Sequence, residues 1–364
     1  MRLFFAILVP LALTAQPGEL FNGRDLAGWV HEGPRATFSA VQGELYSSGA
    51  GNVPNWLRTA AEYENFHLEF EYKLSQWTEA AVYLRAPRVG RPARAGIAIS
   101  LGHDFHRETS SYLTGGIMGA LPPRQPLKES WGAWHRVRVE LDGNRLKTAI
   151  DDVVVQDLDM SAHPELKHRL KRGYIGFPDM GYAYWVRNLR LEKLPDRVKF
   201  VELFDGRTLN GWQLRDGGNW TVRDGAIHGS NGHGILYAKP VFGDFELTAA
   251  VRSHGHVNSG FFLRGAPAGY RGFEVQVYSP LDSFYPTGSV YSIDRSRVGA
   301  EYEERWFPMQ IIVRGSSCLV RIDGETVSET GRLPAAAQGS GRIGLQIHKE
   351  NAAAEFRGLR VRPL

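Results

Sequence analysis

Glu19-Leu20-Phe21-Asn22-Gly23-Arg24-Asp25-Leu26-Ala27-Gly28-Trp29 recurs as Glu202-Leu203-Phe204-Asp205-Gly206-Arg207-Thr208-Leu209-Asn210-Gly211-Trp212, changed only at three positions. A repeat of this kind decides the architecture, because the two copies must fold alike. The match continues in order along the chain. Residues 66–87, ending Tyr-Leu-Arg-Ala-Pro, parallel residues 245–267, ending Phe-Leu-Arg-Gly-Ala-Pro. Thr114-Gly115-Gly116 parallels Thr287-Gly288-Ser289, and Tyr174-Ile175-Gly176 with Arg187-Asn188-Leu189-Arg190 parallels Arg342-Ile343-Gly344 with Arg357-Gly358-Leu359-Arg360. The units run over 18–194 and 200–364, joined through Leu194-Pro195-Asp196-Arg197. A length of 364 residues suits two domains of ordinary size.

Within each unit the apolar period is two. His67-Leu68-Glu69-Phe70-Glu71-Tyr72, His135-Arg136-Val137-Arg138-Val139-Glu140-Leu141 and Leu319-Val320-Arg321-Ile322-Asp323 alternate as half-buried strands do. Asp142-Gly143 and Asp323-Gly324 signal tight hairpins at the ends of such runs. No stretch of ten residues carries a helical apolar face. Short strands, 41 glycines and 11% aromatic residues predict an all-β chain of two tandem jelly-roll sandwiches.

Composition narrows the setting. With 43% hydrophobic and 23% charged residues, the chain has a globular profile. Its net charge of +4 is spread without basic runs, so nucleic acid is not an expected partner. Arg2, the apolar run over 3–13 and Thr14-Ala15-Gln16 read as a secretory signal cleaved near Ala15, too short to span a bilayer. A secreted or periplasmic protein with no membrane segment after cleavage is therefore expected. Cys318, the only cysteine, lies in a strand-like run and reads as a core thiol.

Alternation also sorts side chains by face. Over 258–264, Phe261 and Leu263 go to the core, while Asn258, Gly260, Phe262 and Arg264 go the other way. Over 272–278, Phe273, Val275 and Val277 oppose Glu274, Gln276 and Tyr278; over 343–348, Ile343, Leu345 and Ile347 oppose Gln346 and His348. One face of an antiparallel sheet is often simply wetted. Here, however, it is stocked with amides, aromatics and glycine, which suit the hydroxyls and apolar ring faces of a sugar. The first unit keeps the core alternation at Ile97, Ile99 and Leu101 but has Glu79, Ala98, Ser100 and Pro178 where the second has Asn258, Glu274, Gln276 and Gln346. Only Arg85 keeps its counterpart, Arg264. The polar set is thus separable from folding.

The segments at 203–212, 258–264, 272–277 and 343–348 resemble the 3-keto-disaccharide hydrolase family, whose members are similar to the concanavalin A-like lectin and glucanase sandwich. The resemblance covers nearly all of the second unit and extends to the first through the opening motif and layout. It implies cleavage of a glycosidic bond in an oxidised glycoside, a sugar carrying a ketone at carbon 3. The ketone acidifies the proton on carbon 2, a base removes it, the group on carbon 1 leaves, and water adds back. That route needs one base, donors to the enolate oxygen and an acid, not the paired carboxylates of ordinary glycosidases. Glu274 has no carboxylate two or four residues on, and Gln276 takes the nearer place. On this reading Glu274 or His348 is the base, and Arg264 and Asn258 stabilise the oxyanion. Gln276 and Gln346 orient hydroxyls, with Tyr278 and Phe262 among the substrate-binding side chains. A Glu–His pair holding a divalent metal is an alternative, although two ligands are too few to define a site.

Weaker signals are His103-Asp104-Phe105-His106, which reads as incidental, the acceptor pattern Asn219-Trp220-Thr221, and His254 with His256, which read as a polar turn. The rival functions are a non-catalytic, lectin-like carbohydrate-binding protein and a structural repeat. The first unit would serve as scaffold, subsite wall or binding module.

Overall fold

A computed structural model describes residues 18–51, 54–75, 78–102, 109–127, 131–266, 268, 272–280, 282–298 and 300–364. The signal at 1–15 and the His103, Asp104 and His106 group lie outside the described residues. Strands dominate; the one α-helical turn among the described residues, Pro92–Ala95, is four residues long. No helix among them is long and apolar enough to cross a membrane. Two compact units make up the chain. Among the described residues, 18–82, Ile99–Met160 and Ile175–Pro195 form one; Tyr83–Ala98, Ser161–Tyr174 and Asp196–Leu364 form the other.

The duplication read from sequence holds strand for strand. In the first repeat a five-stranded sheet has the order Trp29–Glu32, Asn55–Thr59, Tyr174–Asp179, Ala81–Ala86, Ile97–Ser100. The second repeat builds the same order from Trp212–Asp216, His233–Phe242, Gly341–His348, Asn258–Gly265 and Phe273–Tyr278. A larger antiparallel sheet faces each. In the second repeat it runs Asn219–Arg223, Ala226–Ser230, Ala353–Pro363, Phe245–His254, Phe307–Arg314, Ser317–Ile322, Glu325–Thr330, with Val201–Glu202 added on Ala353–Pro363. Each repeat is a concanavalin A-like jelly-roll sandwich.

Period-two alternation fills the space between the sheets. Phe245, Leu247 and Val251 from one sheet meet Phe261, Val275, Leu345 and Ile347 from the other, all at most 1% exposed. Cys318 belongs to this core, where burial pushes its thiol pKa up. The Asp323–Gly324 hairpin forms as expected, both residues at positive φ (53° and 79°), the conformation of a two-residue turn.

The opening motif proves to be a closure device. Asp205 Oδ1 accepts the N–H groups of Arg207 and Thr208 at 2.8 and 2.7 Å, and Asn22 Oδ1 does the same for Arg24 and Asp25 at 2.8 and 3.0 Å. These side-chain turns aim Trp29 and Trp212 inward, where each is at most 8% exposed. That local need explains why the motif is kept in both copies.

Candidate functional site

Register aligns the outward side chains of the second repeat's five-stranded sheet into rows. One row runs Gln213, Tyr237, Gly344, Phe262, Glu274 across the five strands. The next runs Arg215, Ile235, Gln346, Gly260, Gln276. In the third, His233 pairs with His348 and Asn258 with Tyr278. The sequence-predicted residues Asn258, Phe262, Glu274, Gln276, Tyr278, Gln346 and His348 therefore do share one face.

Glu274 is the chemically distinctive member. Its carboxyl lies across Gly260: a Cβ placed there would stand 2.7 Å from Glu274 Oε1 and 2.6 Å from the Val275 carbonyl. Glycine at 260 is thus the space the carboxyl occupies. The first repeat has Ala81 at this position and Ala98 in place of Glu274, so the copy that lacks the carboxyl carries a methyl there. With its amide oriented to satisfy its neighbours, Gln276 donates to the Ser259 carbonyl and to Glu274 Oε1, each at 3.0 Å. Across Gly260, the buried Gln346 Oε1 finds no hydrogen-bond partner among the described residues. A buried orphan acceptor is costly unless a ligand donor meets it.

Desolvation pushes the Glu274 pKa up, to about 8, and the Gln276 donor opposes part of that rise. The stability consequence has a definite sign. The unfolded carboxyl ionises near its ordinary value and the folded one only near 8, so neutral Glu274 favours folding fully at acid pH. That benefit is lost as pH rises through about 8. Glu274→Gln removes the conflict. The variant is expected to be more stable than the wild type at pH 8 by about 2–4 kcal/mol and nearly equal to it at pH 4, as read by urea denaturation at both pH values. A variant less stable at pH 8 would show that Glu274 holds the fold rather than burdening it.

Arg264 is not on this face, contrary to the alternation. The strand bulges between Phe262 and Gly265, and Arg264 takes a φ of +52°, which turns its side chain away. Its guanidinium donates to the carbonyls of Gly243 (3.0 Å), Gly315 (2.6 Å) and Ala337 (3.2 Å) and to Asp244 Oδ1 (2.9 Å). Arg85 in the first repeat has the same φ sign (+48°) and is fully buried. Gly341 and Gly173 fit under these bulges, since a Cβ would come within 2.3 and 2.4 Å of the arginine carbonyl carbons. Of the residues assigned to the polar face, the one shared by the two copies is shared because it holds the fold. Register does place Arg215 on the face, where Arg342 also reaches Gln213 (2.7 Å), and sequence reading missed both; Arg215 lies beside Tyr237, whose pKa burial raises and Arg215 draws back.

His348 is on the face but distant from Glu274. It lies four residues beyond Gly344 and two strands over, about 13 Å along and about 10 Å across the sheet. It is exposed and packs edge-on against His233, with ring centroids 4.3 Å apart. Glu274 and His348 therefore do not form the close pair weighed as a metal site. Among the described residues no group of three or more His, Cys, Asp and Glu is placed to hold a metal. His348→Ala is expected to lower turnover by less than about tenfold, below the usual loss of a general base. A thousandfold loss would move the base to His348.

His254 and His256 belong elsewhere. His254 ends a strand of the larger sheet and bonds Glu304 (2.5 Å) and Glu355 (2.9 Å), while the His256 N–H donates to Glu303 in the turn. Sequence reading also missed three rings. Phe284, Tyr285 and Tyr291 adjoin one another on the segment that returns along the Glu274 strand, with centroid separations of 4.9 and 5.4 Å.

Fold and site define the class: a tandem of lectin-type sandwiches, one of which carries a polar face built around a single desolvated carboxyl. The chain belongs to the 3-keto-alpha-glucoside-1,2-lyase-like domain family, whose model matches residues 16–192 and 199–362. Both repeats are thus family domains, and a carbohydrate partner follows from the membership. Similar solved structures include a proposed glycosyl hydrolase from Parabacteroides distasonis (17% identity, TM-score 0.43, 48% of this chain and 93% of that chain). Others are a carbohydrate-binding module from Bacillus subtilis (16%, 0.34, 46% and 96%) and a Bacillus subtilis protein with a galectin-like fold (14%, 0.33, 45% and 94%). No curated protein matches the chain.

Proposed function

We propose that the protein is an exported enzyme that cleaves 3-keto-glycosides at the Glu274 face of the second repeat, by elimination and hydration. The observation that carries this reading is a lone carboxyl, desolvated over Gly260, among amides and aromatics with no second carboxylate in its rows. An ordinary two-carboxylate hydrolysis would need a partner about 5–9 Å away. A single strong base instead suits removal of the proton on carbon 2 of a 3-ketone.

In this mechanism Glu274 takes that proton, and the C–H electrons pass to the ketone oxygen as an enolate. The enolate collapses to a double bond between carbons 1 and 2, and the bond from carbon 1 to the glycosidic oxygen breaks. Neutral Glu274, the form its surroundings favour, supplies the proton to the departing oxygen. Water then adds to carbon 1 while carbon 2 regains a proton. The side-chain amides of Asn258 and Gln346 are the donors for the enolate oxygen and the ring hydroxyls, while Gln276, whose N–H groups go to the Ser259 carbonyl and Glu274, offers its amide oxygen to a hydroxyl. Export rests on Arg2 and the apolar run over 3–13.

The test is incubation of the full chain with a 3-keto-glucoside and with its unoxidised parent, following release of free sugar. Release from the oxidised substrate alone is expected; release from neither, with binding retained, would make the protein a lectin. Because the base form is the ionised one, kcat/KM should climb with pH up to about 8 and level off above. A profile already flat above about pH 5 would mean a carboxyl of ordinary pKa does the work.

A further inference from the structure

The geometry points to an aromatic platform for the leaving-group sugar, formed by Phe284, Tyr285 and Tyr291 along the outer edge of the Glu274 strand. It rests on the reading of Glu274 as the base and adds where the second ring of a disaccharide is held: stacked on this rim.

Backbone hydrogen bonds fix where the rim lies. The Gln276 N–H donates to the Ser289 carbonyl (2.9 Å), the Gly288 N–H to the Gln276 carbonyl (2.8 Å) and the Tyr291 N–H to the Glu274 carbonyl (2.9 Å). The segment therefore lies along the last strand of the sheet, immediately beside the base. Val290 bridges Val275 and is fully buried in the core, so alternation sends its neighbour Tyr291 to the Glu274 side.

The rings are costly to leave in water. Phe284 is 65% exposed and Tyr291 50% exposed, with Tyr285 between them and Arg295 set 5.2 Å over the Phe284 ring. Single exposed apolar residues need no explanation, but three adjoining rings at the rim of a polar face do. A pyranose offers an apolar C–H face to such rings and hydroxyls to the tyrosine O–H groups at their edges.

The internal comparison supports a function over a folding role. Aligned through Thr114 and Thr287, the first repeat keeps Tyr112 for Tyr285 but has Ser111 for Phe284 and Met118 for Tyr291. Two of the three rings occur only in the copy that carries the carboxylate. The amides on the inward side of Glu274 suit the hydroxyl-rich oxidised ring. The ring beyond the scissile bond then extends outward over the rim.

The test uses the full chain with Phe284→Ala and Tyr291→Ala, both at exposed positions. Two substrates are compared: maltose oxidised at carbon 3 of its non-reducing ring, and methyl 3-keto-α-glucoside, whose leaving group has no ring. Each variant should lose about tenfold in kcat/KM for the disaccharide, through KM, and less than about twofold for the methyl glycoside. Equal losses on both substrates, or none on either, would overturn the platform. If the wild type cleaves neither, the cleavage reading fails, and calorimetric binding of maltose against methyl α-glucoside decides the platform separately. Selective loss of maltose binding in the variants sustains it, while equal binding, or no maltose binding by the wild type, ends it.

Discussion

Glu274→Gln is expected to reduce turnover of a 3-keto-glycoside by on the order of a thousandfold while the protein stays folded, the size of effect a general base supplies. The isosteric amide keeps the volume over Gly260 and the hydrogen-bonding shape beside Gln276 but cannot accept a proton from carbon. Together with the stability gain expected at pH 8, this is a paired signature: the substitution that removes activity relieves the fold. Few structural carboxylates behave so, because most are ion-paired and lower in pKa. Glu355, for example, is held below its ordinary value by bonds to Arg252 and His254 that outweigh its burial. A functional group kept at a cost to folding is what a site, rather than a wetted sheet face, requires.

The second large effect concerns stability. Arg264→Met should cost about 3–5 kcal/mol in unfolding free energy, read by urea denaturation. Methionine preserves much of the apolar stem but abandons three carbonyls and Asp244 at the bulge. The folded fraction should retain kcat within a few-fold, since the guanidinium does not face the Glu274 rows. Unchanged stability with lost turnover would instead return Arg264 to the site as an oxyanion donor.

The contrast between these two residues shows what was legible in the sequence. Period-two alternation placed Asn258, Phe262, Glu274, Gln276, Tyr278, Gln346 and His348 on one face, and the strand register agrees. It failed at Arg264 because one residue at positive φ inserts a bulge, and every side chain beyond a bulge changes face. The retained pair Arg85 and Arg264 held the clue, since a residue kept in the copy that lost the polar set serves the fold. The distance between Glu274 and His348 was not legible, because faces follow from alternation whereas rows follow from pairing. Phe284, Tyr285 and Tyr291 were missed because they sit outside any alternating run, in a segment placed by backbone bonds to the sheet edge. Arg215 and His233 lie on strands whose outward residues the motif did not include.

The most direct test of the account is to run the cleavage of a 3-keto-glucoside in D2O and weigh the released keto-sugar by mass spectrometry, with a matched incubation of the free product as a control for spontaneous exchange. Elimination and hydration predict one deuterium at carbon 2 of the product beyond the control, appearing at the rate of cleavage and abolished with it by Glu274→Gln. Release of a sugar that keeps its original proton on carbon 2 would mean direct displacement at carbon 1, and would contradict Glu274 as the base that removes that proton.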